Sequence, residues 1–195
     1  MAKMNVPNTL SLIRVLLVPF FIASALFLRH VPLWGQIIPA LLFALASFTD
    51  FLDGKIARKY NLVTDFGKFI DPLADKFMVF GALIVILTVD PAIAPVFVWV
   101  AAIVMLRELA ITSLRLVVAG KSGKVIAASF FGKLKTVTQI AAVLLILLDP
   151  ILGDLVPFLE NRLVSYIAMG FMTLTTVASG IDYLRAYMPL VDTNK

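Results

Sequence analysis

Apolar residues run in long blocks along this chain, cut at intervals by charges and turn formers. Breaking it there leaves blocks at about 15–28, 31–49, 77–89, 91–106, 136–148 and 163–181. Six such blocks predict six membrane-spanning helices. The third and fifth blocks, 77–89 and 136–148, are short. At about 1.5 Å per residue each covers only about 20 Å of a roughly 30 Å hydrocarbon core. Extending the third helix back to Gly67 and the fifth back to Lys133 restores the length. That extension draws Asp71, Asp75, Lys133 and Lys135 toward membrane depth, where charged groups face a bundle interior or a wet cavity.

Composition agrees with a bilayer protein. Of the 195 residues, 61% are hydrophobic and 15% charged, and the mean hydropathy is +1.01. No Ser/Gly/Pro-rich linker divides the chain, which predicts one all-α integral membrane domain over residues 1–195. Cysteine is absent, removing disulfides, thiolate nucleophiles and Cys-based zinc sites, and the single histidine, His30, excludes a His-rich metal cluster. Any chemistry therefore falls to carboxylates. The net charge of +5 comes from basic residues scattered among apolar blocks, which makes no basic face for nucleic acid and suits anionic lipid headgroups.

Basic residues also set the orientation. With the N-terminus inside, nearly all Lys and Arg fall at inner helix ends, leaving only Arg29 and Arg162 outside. Both termini are thus expected in the cytoplasm, with a tight outer turn around Thr88–Pro91 and Asp149, Asp154 and Glu160 in the outer connection between helices five and six. A rival reading takes residues 1–25 as a cleaved signal peptide, because Lys3 precedes an apolar run holding Ala23-Ser24-Ala25. Against it, Arg14 interrupts the run and Pro7-Asn8-Thr9 reads as a helix start with Asn8 or Thr9 as N-cap.

The densest chemistry lies in Asp50-x2-Asp53-Gly54-x2-Ala57-Arg58-x8-Gly67-x3-Asp71-x3-Asp75. On a helix Asp50 and Asp53 lie about 60° apart, and Asp71 and Asp75 about 40° apart, so each pair shares a face. The polar break at 59–66 lets two antiparallel helices meet, bringing four acids together. Desolvated carboxylates repel unless cations neutralise them, and all-oxygen ligation selects hard ions such as Mg²⁺, Mn²⁺ or Ca²⁺. Gly54 and Gly67 remove side chains beside the acids, permitting close approach of a ligand, and Arg58 is suited to grip a phosphate. The plainer alternative is a set of i,i+4 pairs with neighbouring lysines, and a small divalent-ion transporter or channel would use the same acids.

This run resembles the signature of the CDP-alcohol phosphotransferases at every fixed position. The resemblance implies that family's six-helix membrane fold, a homodimer, and transfer of a phosphate-bearing group from a CDP-linked donor to an alcohol with release of CMP. It implies two divalent cations, Mg²⁺ or Mn²⁺, on Asp50, Asp53, Asp71 and Asp75, with Asp75 also the general base, and Gly54, Arg58 and Gly67 lining the CDP site. Helical spacing alone leaves base and ligand unassigned.

A second, basic cluster comprises Arg107, Arg115, Lys121, Lys124, Lys133 and Lys135. Arg107 and Arg115 lie about 80° apart on a helix and face one cavity. The cluster suits an anionic acceptor, whereas positive-inside bias is the simpler account of Lys121 and Lys124. The segments Asn5–Arg14, Arg107-Glu108-Leu109 and Gly132–Thr136 look most like the family's phosphatidylglycerophosphate synthases. That branch implies CDP-diacylglycerol as donor, glycerol 3-phosphate as acceptor, and a bacterial plasma membrane with the site on the cytoplasmic side. Asn8 and Arg14 are then expected at the nucleotide, and Arg107, Arg115, Lys133, Lys135 and Thr136 at the acceptor. Phosphatidylinositol-phosphate synthase is the nearest alternative, its acceptor also bearing a phosphate.

Overall fold

A computed structural model of the chain describes residues 5–60, 64–122, 129–159 and 161–191. Among these residues all regular secondary structure is helical, with α1 (Val6–Phe27), α2 (Trp34–Tyr60), α3 (Asp65–Val89), α4 (Ala94–Ser122), α5 (Phe130–Leu155) and α6 (Leu163–Tyr187), and short 3₁₀ turns after α5 and α6. All six are long and apolar enough to cross a membrane. The extensions expected for the third and fifth helices are present, and α2 runs on beyond its apolar block through Asp50 and Asp53 to Tyr60.

The starts of α1, α3 and α5 each have a local cause. Asn5, rather than Asn8 or Thr9, caps α1: its side chain accepts the Asn8 backbone N–H at 3.0 Å, and Pro7 sits in the first turn, where its missing N–H costs nothing. Thr64 caps α3 by accepting the Gly67 N–H at 3.0 Å, and Ser129 caps α5 by accepting the Gly132 N–H at 3.0 Å. Pro19, Pro39, Pro72 and Pro150 lie inside helices, which a membrane bundle tolerates because neighbouring groups satisfy the freed carbonyls.

The main helix contacts trace a ring in the order α1, α2, α5, α6, α4, α3 and back to α1. Its centre is filled by side chains that include Phe21, Phe43, Met78, Leu83, Phe97 and Met172. Large apolar side chains such as Phe20, Phe51, Trp99, Phe130 and Phe171 point outward, as a lipid-facing surface requires. Trp34 and Trp99, both exposed, lie in the first two turns of α2 and α4, consistent with one interfacial belt.

Two expectations change. Asp149 and Asp154 are not in the connection between α5 and α6 but on α5, Asp149 wholly buried and accepting from Ser165 Oγ at 2.5 Å, while Arg162 reaches from the start of α6 to Asp90 at 3.0 Å. Glu160 lies outside the described residues. The second concerns α2 and α3, which do not meet along their length: α1 lies between them and packs on both. Residues 6–25 are therefore part of the bundle, with Arg14 and Phe21 in its interior.

Candidate active site

α1 is what joins the acids. Its Arg14, 0% exposed, sits between Asp50 and Asp53 of α2: Nη1 lies 2.7 Å from Asp50 Oδ1, and Nη2 is ion-paired with Asp53 Oδ2. One turn earlier, the Ser11 hydroxyl donates to Asp71 Oδ1 at 2.5 Å and lies 3.3 Å from Asp53 Oδ2. A hydroxyl has one proton to give, so the shorter contact takes it and Arg14 serves Asp53. Asp75, one turn deeper on α3 than Asp71, lines a pocket with Asp50, Lys135, Thr136 and Gln139.

The four acids are thus stitched in series by a guanidinium, a hydroxyl and a shared pocket. Among the described residues no three acidic or histidine side chains surround a common point. The chemistry of the donor set still fits hard divalent cations: every donor is a carboxylate oxygen, and the site demands positive charge, which Arg14 supplies here.

Other expected donor-site residues fall as follows. Gly67 does not open space for a ligand: a Cβ there would meet Asn8 Oδ1 at 3.0 Å and Thr64 Oγ1 at 3.3 Å, so the missing side chain admits α1 instead. Asn8 is buried, and its Oδ1 accepts the Thr64 hydroxyl at 2.9 Å, tying the starts of α1 and α3 together. Arg14 is committed to Asp50 and Asp53 in the interior, which makes it a counter-charge to the acids. Gly54 follows Asp53 on α2 and is half-buried. Arg58 is on α2, but its side chain lies outside those described, as does that of Lys121; Lys124 is also outside.

The basic residues form a second network. Lys135 and Glu108, both buried, are ion-paired across α4 and α5, and Arg107 Nη1 lies 3.3 Å from the same carboxylate oxygen. Arg107 also hydrogen-bonds the Ser179 hydroxyl. Arg107 and Arg115 do face a common centre, and it is Tyr183. Their guanidinium carbons lie 5.6 and 4.9 Å from its ring centroid. Arg115 Nη2 donates to the Tyr183 hydroxyl at 2.5 Å, and the Ser129 backbone N–H donates to it at 3.1 Å. Gly132 makes room, since a Cβ there would come 3.0 Å from that hydroxyl oxygen. Lys133 is exposed, and the Thr136 hydroxyl, also at the surface, donates back to the Gly132 carbonyl at 3.2 Å.

Ser11, Glu108 as the partner of Lys135, Gln139 and Tyr183 were not legible as site residues. Gln139 alone carried a local signal, since it repeats the Lys135 face one turn on.

Six long apolar helices holding carboxylates beside buried cations define a polytopic membrane protein with charged groups in its interior. Residues 4–179 match the model of one family, described as CDP-alcohol phosphatidyltransferase. The chain belongs to that family of transferases. It is 43% identical over 192 residues to the CDP-diacylglycerol--glycerol-3-phosphate 3-phosphatidyltransferase of Bacillus subtilis (strain 168), covering 92% of this chain and 93% of that one. It is 37% identical over 189 residues to the protein of the same name from Haemophilus influenzae, covering 94% and 93%. A probable phosphatidylglycerophosphate synthase of Mycobacterium tuberculosis (strain H37Rv) is 35% identical over 180 residues, covering 92% and 80%. The family uses divalent cations.

Proposed function

We propose that the protein transfers the phosphatidyl group of CDP-diacylglycerol to sn-glycerol 3-phosphate, giving phosphatidylglycerophosphate and CMP. The observation that carries this reading is the pocket shared by Asp50, Asp75 and Lys135, which brings an acid-rich region against a cationic one. Relatives named for this reaction over nearly the whole chain support the choice of acceptor.

Asp50, Asp53, Asp71 and Asp75 would hold two divalent cations, Mg²⁺ or Mn²⁺, which when bound would supply positive charge to neutralise the diphosphate and the CMP leaving group. Asp75 takes the proton from the attacking hydroxyl of glycerol 3-phosphate, whose oxygen then bonds to the phosphatidyl phosphorus as the bond to CMP breaks. Gly54 and Arg58 border the nucleotide, while Gly67 admits α1. Arg107, Arg115, Lys133, Lys135 and Thr136 attract and orient the acceptor phosphate, Arg115 doing so from the face of Tyr183. The site faces the cytoplasm of a bacterial plasma membrane, and six crossings put both termini on that side, a reading supported by the excess of Lys and Arg there. A single domain over residues 1–195 and a homodimer rest on composition and on the family resemblance, respectively.

The test is turnover by the purified protein with CDP-diacylglycerol, Mg²⁺ or Mn²⁺, and a panel of labelled acceptors. Label entering lipid from glycerol 3-phosphate, with stoichiometric CMP, is the expected result. Transfer to inositol phosphate or serine instead overturns the acceptor, and ion flux without turnover overturns the reaction.

A further inference from the structure

Gln139 lies one turn after Lys135 on α5 and is 3% exposed. Both polar atoms of its amide, Oε1 and Nε2, are buried and have no hydrogen-bond partner among the described residues. Buried amides are nearly always paired, because an unpaired one gives up its hydration for nothing. The neighbours explain why the protein leaves it so. Lys135 is directed to Glu108 and the Thr136 hydroxyl gives its proton to the Gly132 carbonyl, so neither is paired with the amide. Most of the remaining lining of the pocket is apolar.

That pocket also holds Asp50 and Asp75, and its volume of about 20 Å³ admits one water-sized group. A group that satisfies both ends of an amide must donate and accept. Phosphates and carboxylates only accept and ammonium groups only donate, whereas a hydroxyl, of water or of a substrate alcohol, does both. We propose that Gln139 binds the C2 hydroxyl of glycerol 3-phosphate, beside the terminal hydroxyl that Asp75 deprotonates. It thereby selects acceptors carrying a vicinal diol. The assignment rests on the glycerol 3-phosphate reading above and adds the group that reads the part of the acceptor that does not react.

The experiment compares glycerol 3-phosphate with 3-hydroxypropyl phosphate, which lacks only the C2 hydroxyl, as acceptors for the full chain in detergent with CDP-diacylglycerol and Mg²⁺. Wild-type protein is expected to favour glycerol 3-phosphate in kcat/KM by at least roughly a hundredfold, because the deoxy acceptor leaves the buried amide unpaired. In Gln139→Leu that ratio should fall to within about threefold of one, through loss on glycerol 3-phosphate with little change on the deoxy acceptor. Gln139→Met, closer in shape, gives the same readout if the leucine variant does not fold. An unchanged ratio, or equal loss on both acceptors, overturns the assignment and leaves Gln139 a structural residue paired with water. Wild-type protein that uses neither acceptor but another alcohol overturns the functional reading and this assignment with it.

Discussion

Arg14 and Asp53 are ion-paired in the interior of the bundle, the arginine without measurable exposure and the aspartate nearly so. Removing one member of such a pair strands the other in a poorly solvated place. Arg14→Ala should therefore destabilise the protein by about 3–5 kcal/mol. Arg14→Lys should recover only part of this, because an ammonium cannot reach Asp50 and Asp53 as a planar fork does. Thermal unfolding in detergent measures both, and an unchanged midpoint for Arg14→Ala would remove the proposed role.

Asp75 is expected to matter for rate rather than donor affinity. Asp75→Asn keeps the shape but loses the base, so kcat should fall by at least about a hundredfold while CDP-diacylglycerol still binds. Asp71→Ala should in addition shift the Mg²⁺ or Mn²⁺ dependence of turnover to higher concentration. A metal titration superimposable on wild type would count against ligation by Asp71.

Tyr183 holds Arg115 through its hydroxyl and supports both arginines with its ring. Tyr183→Phe keeps the ring and removes the hydrogen bond, so the KM for glycerol 3-phosphate should rise by about tenfold with the KM for CDP-diacylglycerol unchanged. Gly132→Ala should act in the same direction by crowding the hydroxyl. In an Arg115→Ala background the Tyr183→Phe effect should vanish. Additive losses would show that Tyr183 acts elsewhere.

At the opposite end of the bundle, burial pushes the Asp90 carboxyl above its ordinary range, and the Arg162 guanidinium opposes that rise. The folded protein therefore takes up a proton on Asp90 at higher pH than the unfolded chain does. This group's contribution to stability falls as pH rises through the interval between the two values. Arg162→Ala removes the opposing charge, so the interval should widen and the loss of stability from acid to neutral pH should steepen. Unfolding midpoints measured across that range report it, and parallel curves for the two proteins would contradict it.

Helix number and the extents of α3 and α5 were legible because a fixed membrane thickness sets a minimum helix length, which forced α3 back past Asp71 and α5 back past Lys133. The aspartate spacing was legible because it is local to single helices. What local spacing does not carry is which helix lies between two others. Four acids on α2 and α3 suggested direct contact, yet their repulsion is met by inserting α1, whose Ser11 and Arg14 lie one connection away from α2 and two from α3. Glu108 with Lys135 and Arg115 with Tyr183 likewise join residues on different helices. Gly67 shows the ambiguity at one position: the lack of a side chain signals close approach, but only the fold tells that the approaching group is Asn8.

The location of Arg14 on the first helix orders events during biogenesis. A ribosome delivers α1 to the translocation machinery before Asp50, Asp53 and Asp71 have been synthesised, so each carboxylate that follows finds its counter-charge or hydroxyl already within the nascent bundle. An N-terminal fusion that delays or inverts this helix would leave the later acids to enter lipid uncompensated, and quality-control proteolysis rather than slow turnover would then be the outcome.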